Sequence, residues 1–115
     1  MKKSNRVYLQ HIQDAVRWIG EYTKGMDRET FLASHLVQDA VLKQIEVIGE
    51  AAKHLSPDFT DAYPDVPWKD IAGMRDFIVH NYFGVDVEAV YKTVVIDIPV
   101  LKNQIAAVLQ DYKEP

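Results

Sequence analysis

The sequence contains no cysteine among its 115 residues. This absence excludes disulfides, thiolate metal sites and a thiol nucleophile, and it is typical of proteins from a reducing compartment. The chain also lacks any apolar run near the roughly 18–20 residues that a membrane-spanning helix needs. Its first residues, MKKSNRVYLQ, do not carry the hydrophobic stretch of a secretion signal. We therefore expect a cytoplasmic protein with no membrane partner.

An excess of positive charge is missing as well. Lysine and arginine number 13 against 17 aspartate and glutamate residues, for a net charge of −4. A protein that binds duplex DNA over its surface is usually basic, so DNA is not an expected partner. Any contact with RNA must depend on a local cluster of positive side chains.

Glycine and proline are scarce, with five of each, and no glycine-rich phosphate loop, internal repeat or low-complexity segment occurs. The length fits one domain, residues 1–115. Hydrophobic residues make up 48% of the chain, which is enough for a packed core.

Apolar residues recur every three or four positions, which predicts helices, and no alternating strand pattern competes. The fold class expected is all-α, an up-and-down bundle of four main helices with a kink at Pro99 in the last one. A short helix after Asp27 and one turn after Pro57 complete the pattern. The four main helices are predicted at residues 4–24, 35–55, 67–82 and 86–112. The helix over 35–55 is apolar on two sides, so it has two surfaces to cover.

Two pairs of residues are candidate metal ligands, because each pair is one helical turn apart. They are His35 with Asp39 and Glu50 with His54. No Glu-x-x-His sequence of the kind that builds carboxylate-bridged di-iron bundles is present. Surface ion pairs explain the spacing more simply, so no metal and no cofactor is expected.

Three polar-tipped side chains interrupt the apolar stretch GMRDFIVHNYFGVD, residues 73–86: Arg75, His80 and Tyr82. If the helix continues through them, His80 lies about 7.5 Å along the axis from Arg75, and Tyr82 returns to the face of Arg75. Histidine can exchange a proton near neutral pH, and arginine binds phosphate oxygens. The pair is therefore sufficient for metal-free cleavage of RNA through its ribose 2′-hydroxyl. A purely structural alternative is an arginine that extends to solvent and a histidine that caps the helix C-terminus.

The segment MRDFIVHNYFGVD, an Arg-x4-His-x-Tyr pattern followed by Phe-Gly-Val-Asp, resembles the HepT-like toxins of the HEPN ribonuclease superfamily. The segments IEVIGEAAKHLS (45–56), YPDVPWKDIAGMRD (63–76) and DIPVLKNQI (97–105) resemble the family too. The resemblance implies an all-α homodimer, in which two copies of the motif form one composite, metal-independent ribonuclease site.

The resemblance also assigns roles. Arg75 and His80 would be catalytic, and Asp76 would be a supporting residue where many relatives have asparagine. A nucleotidyltransferase antitoxin of the MntA type would be the partner and would transfer AMP to Tyr82, which switches the toxin off. The second apolar face of the helix over 35–55, or the kinked last helix, would supply the dimer contact. The alternative function is a non-catalytic helical subunit that binds and assists a nucleotidyltransferase, and a third is a bundle without activity.

Overall fold

Helices form where the apolar periodicity predicts them. The computed structural model describes residues 4–80 and 84–113, with only the backbone described for His80. Its helices are α1 (Asn5–Tyr22), α2 (Arg28–Ala33), α3 (His35–Lys53), α4 (Pro57–Ala62), α5 (Trp68–Ala72), α6 (Met74–Ile78), α7 (Val87–Lys92) and α8 (Ile98–Asp111). The predicted all-α fold class is confirmed, and no helix within the described ranges is long and apolar enough to cross a membrane.

The core lies between α1, α3 and α8, with α1 packed against both of the other helices. Each helix contributes aliphatic side chains, and these side chains are almost completely removed from water. Burying a large aliphatic side chain contributes about 1.5–3 kcal/mol to folding, so this layer is the main source of stability. Its most buried members are Leu9, Ile12, Ile19, Val41, Ile45, Ile48, Leu101 and Ile105.

Both apolar faces of α3 pack against other helices of the same chain. The helix packs against α1 on one side and against α5 and α6 on another. Ile45 and Ala51, from the stripe that was a candidate dimer contact, are buried. Leu36, in the first turn, is the exception and is 80% exposed. The prediction of two surfaces is therefore right, but α3 covers them mostly with its own neighbours.

Side-chain caps fix where several helices begin. The carboxylate of Asp27 accepts a hydrogen bond from the backbone N–H of Thr30, and Asp86 does the same for Ala89. Ser34 and Ser56 cap α3 and α4 through their hydroxyl oxygens. Each cap satisfies a donor that the first helical turn leaves unpaired. The short helices predicted after Asp27 and Pro57 are confirmed.

The last helical stretch is irregular just before Pro99, the position at which a kink is predicted. Residues Thr93–Asp97 form a π-helical segment, and the N–H of Ile98 reaches back to the carbonyl of Thr93. Pro99 then lies at the start of α8, where its missing N–H costs nothing. The wider π turn accommodates the proline by shifting the hydrogen-bond pattern upstream of it.

The third predicted helix is shorter than expected, and this is a correction. It is divided at Gly73 into α5 and α6, and α6 ends at Ile78 rather than near residue 82. Val79–His80 instead form strand β1, which pairs antiparallel with β2, Gly84–Val85. The N–H of Asp86 donates to the carbonyl of Ile78 and closes this hairpin, 2.7 Å apart.

Gly84 lies in β2. Its φ of +83° is in the left-handed region that favours glycine, so the residue type matches a sharp change of direction there. Although the sequence has no alternating strand pattern, the described residues therefore include a hairpin with two residues in each strand.

Candidate active site

The close approach of α5 to α3 fixes the position of the motif. Gly49 lies on α3 where the carbonyl oxygen of Ala72 meets it. A Cβ atom placed on Gly49 would be only 3.1 Å from that oxygen. The absence of a side chain thus lets the C-terminal end of α5 contact the α3 backbone. Because α6 begins two residues later, this contact also places Arg75 beside α3.

Arg75 is held by a carboxylate from α3. Its Nε donates a hydrogen bond to Oε1 of Glu46 over 2.9 Å, between residues 29 apart in sequence. The two side chains are 45% and 36% exposed, so water reaches the pair. An exposed pair of this kind contributes about 0–1 kcal/mol to stability. Its main effect is therefore to orient the guanidinium.

Asp76 lies on the solvent side of Arg75. One of its carboxylate oxygens is 3.9 Å from Nη1 of Arg75, and the side chain is 77% exposed. This distance is a loose ion pair rather than a hydrogen bond. The contact agrees with a supporting position next to the arginine, and a catalytic contribution of Asp76 stays a prediction.

A cleft of about 280 Å³ opens between α3 and α6 at this point. Its charged lining residues are of both signs. Lys53 and Arg75 are opposed by Glu46, Glu50 and Asp76, and Lys53 is already 3.3 Å from Glu50. The cleft in one copy is therefore close to neutral, which is not by itself an electrostatic attractor for RNA. The residues that line it are Glu46, Gly49, Glu50, Lys53, Ala72, Arg75 and Asp76.

The other two motif residues follow α6. The backbone of His80 lies in β1, two residues beyond the end of α6, so the helical rise and rotation used to relate it to Arg75 do not apply. A strand rises further per residue than a helix does, so the distance from Arg75 to His80 differs from the helical value. Tyr82, the predicted site of AMP transfer, lies outside the described residues. The roles of His80 and Tyr82 stay predictions.

One of the two candidate metal pairs makes other contacts, and the other pair is exposed. Glu50 pairs with Lys53, and the imidazole of His54 stacks on the ring of Tyr8. His35 and Asp39 are exposed on the first turns of α3. Within residues 4–80 and 84–113, no group of three or more potential ligands could hold a metal ion.

Glu46 and Gly49 were not predicted to belong to the site. Both lie in the segment IEVIGEAA of α3, with Glu50 one residue further, at spacings of three and four residues. That spacing places them on one face of a helix, but it does not indicate which element faces them. Only the packing of α5 and α6 against α3 brings this face to Arg75.

Comparison with known proteins identifies the family of the chain. A family model described as ribonuclease HepT-like matches residues 12–108. A protein named probable ribonuclease HepT, from Thermococcus cleftensis, is 44% identical over 90% of the chain and 94% of its own length. A protein of Caldanaerobacter subterraneus, provisionally named an RNase, is 39% identical over 96% of the chain and 99% of its own length.

A longer protein of Methanocaldococcus jannaschii is also similar. It is named as a gamma-glutamylcyclotransferase and, provisionally, as an RNase, and it is 41% identical over 96% of the chain, which spans half of its length. No solved structure matches significantly. The matches define the class as a HEPN-like all-α ribonuclease fold. The chain belongs to the HepT-like ribonuclease family, so the resemblance seen in the motif is confirmed.

Proposed function

We propose that the protein is a metal-independent endoribonuclease and the toxin of a type II toxin–antitoxin pair. The observation that carries the proposal is the position of Arg75. Within a chain of the HepT-like family, its guanidinium lies half-exposed at the mouth of a cleft, held through Nε. Glu46 accepts from Nε, and the terminal amino groups, the ones suited to grip phosphate oxygens, have only the loose contact of Nη1 with Asp76 among the described residues.

The chemistry needs only side chains of the motif. The His80 imidazole takes the proton of a ribose 2′-hydroxyl, and the 2′-oxygen attacks the neighbouring phosphorus. The bond from phosphorus to the 5′-oxygen breaks, and the His80 imidazolium of a second copy donates a proton to that oxygen. Arg75 stabilises the negative charge that gathers on the phosphoryl oxygens. The products are a 2′,3′-cyclic phosphate and a 5′-hydroxyl, and DNA is inert because it lacks the attacking group.

The second copy also changes the charge around the bound phosphate. Two Arg75 guanidinium groups that face each other concentrate positive charge at the bound phosphate, while the net charge of each cleft stays close to neutral. An apolar surface beside the motif is suited to bring the copies together. It consists of Phe77, Val95, Ile96 and Val100, which are 73%, 48%, 59% and 55% exposed. We call these four residues the Phe77 patch.

The Phe77 patch is the surface that we propose as the homodimer contact. Phe77 is on α6, two residues from Arg75, and the other three residues are in the π-helical segment and the start of α8. Phe77 and Val100 also line a groove of about 420 Å³ between these elements. Exposed apolar side chains of this kind mark interaction surfaces. A copy that binds there places its own α6 near the first one. Assembly beyond a dimer is compatible with the remaining surface.

The test of the activity uses single substitutions in the motif. Arg75→Ala and His80→Ala should each abolish RNA cleavage and growth arrest in a bacterial host. Because the Arg75 side chain is exposed, Arg75→Ala should also leave the fold intact by circular dichroism. Added chelator should not change the wild-type rate. Cleavage at the wild-type rate by either variant would show that the proposal is wrong.

Regulation by an MntA-type nucleotidyltransferase is part of the proposal. Transfer of AMP to Tyr82, two residues after His80, adds bulk and negative charge beside the motif, and both oppose RNA entry. Mass spectrometry of the protein purified with its partner should show the Tyr82 peptide heavier in steps of one AMP. A Tyr82→Phe variant should remain toxic when the partner is co-expressed.

A second candidate function is a non-catalytic subunit that binds and assists a nucleotidyltransferase. The acidic surroundings of Arg75, from Glu46, Glu50 and Asp76, favour it, because they weaken attraction for RNA. Expression of the chain alone separates the two functions. Growth arrest that the partner relieves supports the toxin, whereas no arrest from the folded protein supports the accessory subunit.

A further inference from the structure

A second groove adjoins the Arg75 cleft and has no role in the proposed cleavage. It has a volume of about 360 Å³ and lies between α1 and α3. Tyr8, His11, Lys43, Val47 and His54 line it, and we call it the Tyr8 groove. Glu46 and Glu50 line both the Tyr8 groove and the Arg75 cleft, so the two are continuous along one face of α3.

The Tyr8 groove contains a stack of rings. The phenol ring of Tyr8 and the imidazole of His54 are nearly parallel, at 13°, with centroids 5.0 Å apart. The imidazole of His11 meets the Tyr8 ring edge-on at 6.1 Å. Tyr8 is half-buried, whereas both histidines are exposed, so the outer part of the stack is available to a ligand.

We infer that the Tyr8 groove binds the base of a nucleotide next to the cleaved phosphate of a single-stranded RNA. This inference rests on the proposed ribonuclease function, which places an RNA strand across Arg75. The neighbouring nucleotide of that strand then has to lie along the protein surface, and the Tyr8 groove continues from the cleft through Glu46 and Glu50.

The chemistry of the lining fits a base better than it fits a second phosphate. Two carboxylates repel a phosphate, but they accept hydrogen bonds from the amino groups on the edge of a base. The stacked rings offer a π surface, which is how proteins bind splayed-out bases without reading a duplex. Lys43 at the rim can contact the phosphate that follows.

The experiment measures binding of a short fluorescent single-stranded RNA to the full-length His80→Ala protein, which should not cleave it. Tyr8→Ala and His54→Ala, added to this background, should each weaken binding by roughly five- to hundredfold, the loss typical for one base–aromatic stack. Tyr8→Phe keeps the ring and should bind as the parent does. Trp18→Ala removes an exposed ring of α1 outside both sites and is the matched control.

A second measurement tests the contact from the RNA side. RNAs with a single abasic position are compared, one position at a time. The RNA whose abasic position is adjacent to the cleaved bond should bind the parent more weakly than the intact RNA does. Its affinity should not fall further in the His54→Ala variant, because the ring and the missing base form one interaction.

The outcomes separate this inference from the proposed function. Unchanged affinity in both alanine variants, or equal losses in Tyr8→Phe and Tyr8→Ala, would overturn the base site even if the wild-type protein cleaves RNA. A wild-type protein that binds RNA through Tyr8 and His54 without cleaving it would retain the base site and contradict the ribonuclease. No RNA binding by the parent would overturn both.

Discussion

Nε of Arg75 on α6 lies 2.9 Å from Oε1 of Glu46 on α3, and it donates a hydrogen bond to that oxygen. The contact joins a residue of the recognisable motif to one that no motif identifies. It gives the guanidinium a defined orientation while the side chain stays half-exposed. It also places a negative charge next to the group that is proposed to bind a phosphate.

The first prediction separates these two effects of Glu46. Glu46→Ala removes the hydrogen-bond acceptor, so we expect kcat for RNA cleavage to fall about tenfold or more, because a displaced catalytic group is costly. Glu46→Gln keeps an acceptor oxygen and removes the charge. It should retain a kcat close to that of the wild type and show a lower KM for RNA.

Steady-state kinetics on a short RNA measure both values. Glu50→Gln is the control, since it removes the same charge from the same cleft, although Glu50 pairs with Lys53 rather than Arg75. Its kcat should not change. A Glu46→Ala protein with the wild-type kcat would show that Glu46 does not position Arg75.

The second prediction concerns the Phe77 patch. Phe77→Asp and Ile96→Asp each place a charge in the proposed dimer contact, so both should shift the protein towards monomer and reduce cleavage in parallel. Light scattering after size exclusion gives the mass in solution. Leu36→Asp is the matched control, because Leu36 is 80% exposed and lies outside the patch. If the two variants remain dimeric and active, the Phe77 patch is not the dimer contact.

The third prediction concerns the contact that positions α5 and α6. Gly49→Ala forces a Cβ atom to within 3.1 Å of the Ala72 carbonyl oxygen, a backbone atom. We expect the free energy of unfolding to fall by about 1–3 kcal/mol, as for other overpacked sites. RNA cleavage should fall too, because α6 and Arg75 are displaced with α5.

Gly20→Ala is the control for this substitution. Gly20 is an exposed position in α1, and a methyl group there would meet no atom outside its own stretch of helix within 4 Å. Alanine should therefore raise the free energy of unfolding by about 0.4–1 kcal/mol. Urea unfolding of both variants should therefore give changes of opposite sign. A stabilised Gly49→Ala protein would mean that α5 moves away from α3 without cost.

The fourth prediction is a dependence on pH at the start of α2. The backbone N–H of Thr30 donates to the Asp27 carboxylate and lowers the pKa of Asp27 below its ordinary value of 3.8. The folded state therefore favours the ionised form. The resulting stabilisation is present above the unfolded pKa and is lost as the pH falls through the lower, folded pKa.

Asp27→Asn keeps a capping oxygen and removes the charge, which isolates this contribution. The free energy of unfolding of the wild type should exceed that of Asp27→Asn at neutral pH, and the difference should disappear in acid. Asp65→Asn, at an exposed position in a turn, controls for the loss of one negative charge. The same difference at neutral and acidic pH would contradict the assigned cause.

Helix positions followed from the sequence because periodicity and caps are local properties. The spacing of Leu9, Ile12 and Ile19 defines α1, and Asp27 and Asp86 cap helices where the sequence predicts them. The family could also be recognised from the motif around Arg75, and its match over residues 12–108 confirms it. The end of α6 could not be predicted, because the apolar residues after Ile78 fit a helix or a strand equally well.

By itself, the sequence determined the all-α class, the caps and the motif, since each depends on residues close together along the chain. The tertiary structure decided which residues surround the motif. Glu46 and Gly49 are far from Arg75 in sequence and become its neighbours only because α5 and α6 pack against α3. Long-range packing depends on how whole helix faces fit together, and the spacing of residues along the chain does not specify that fit.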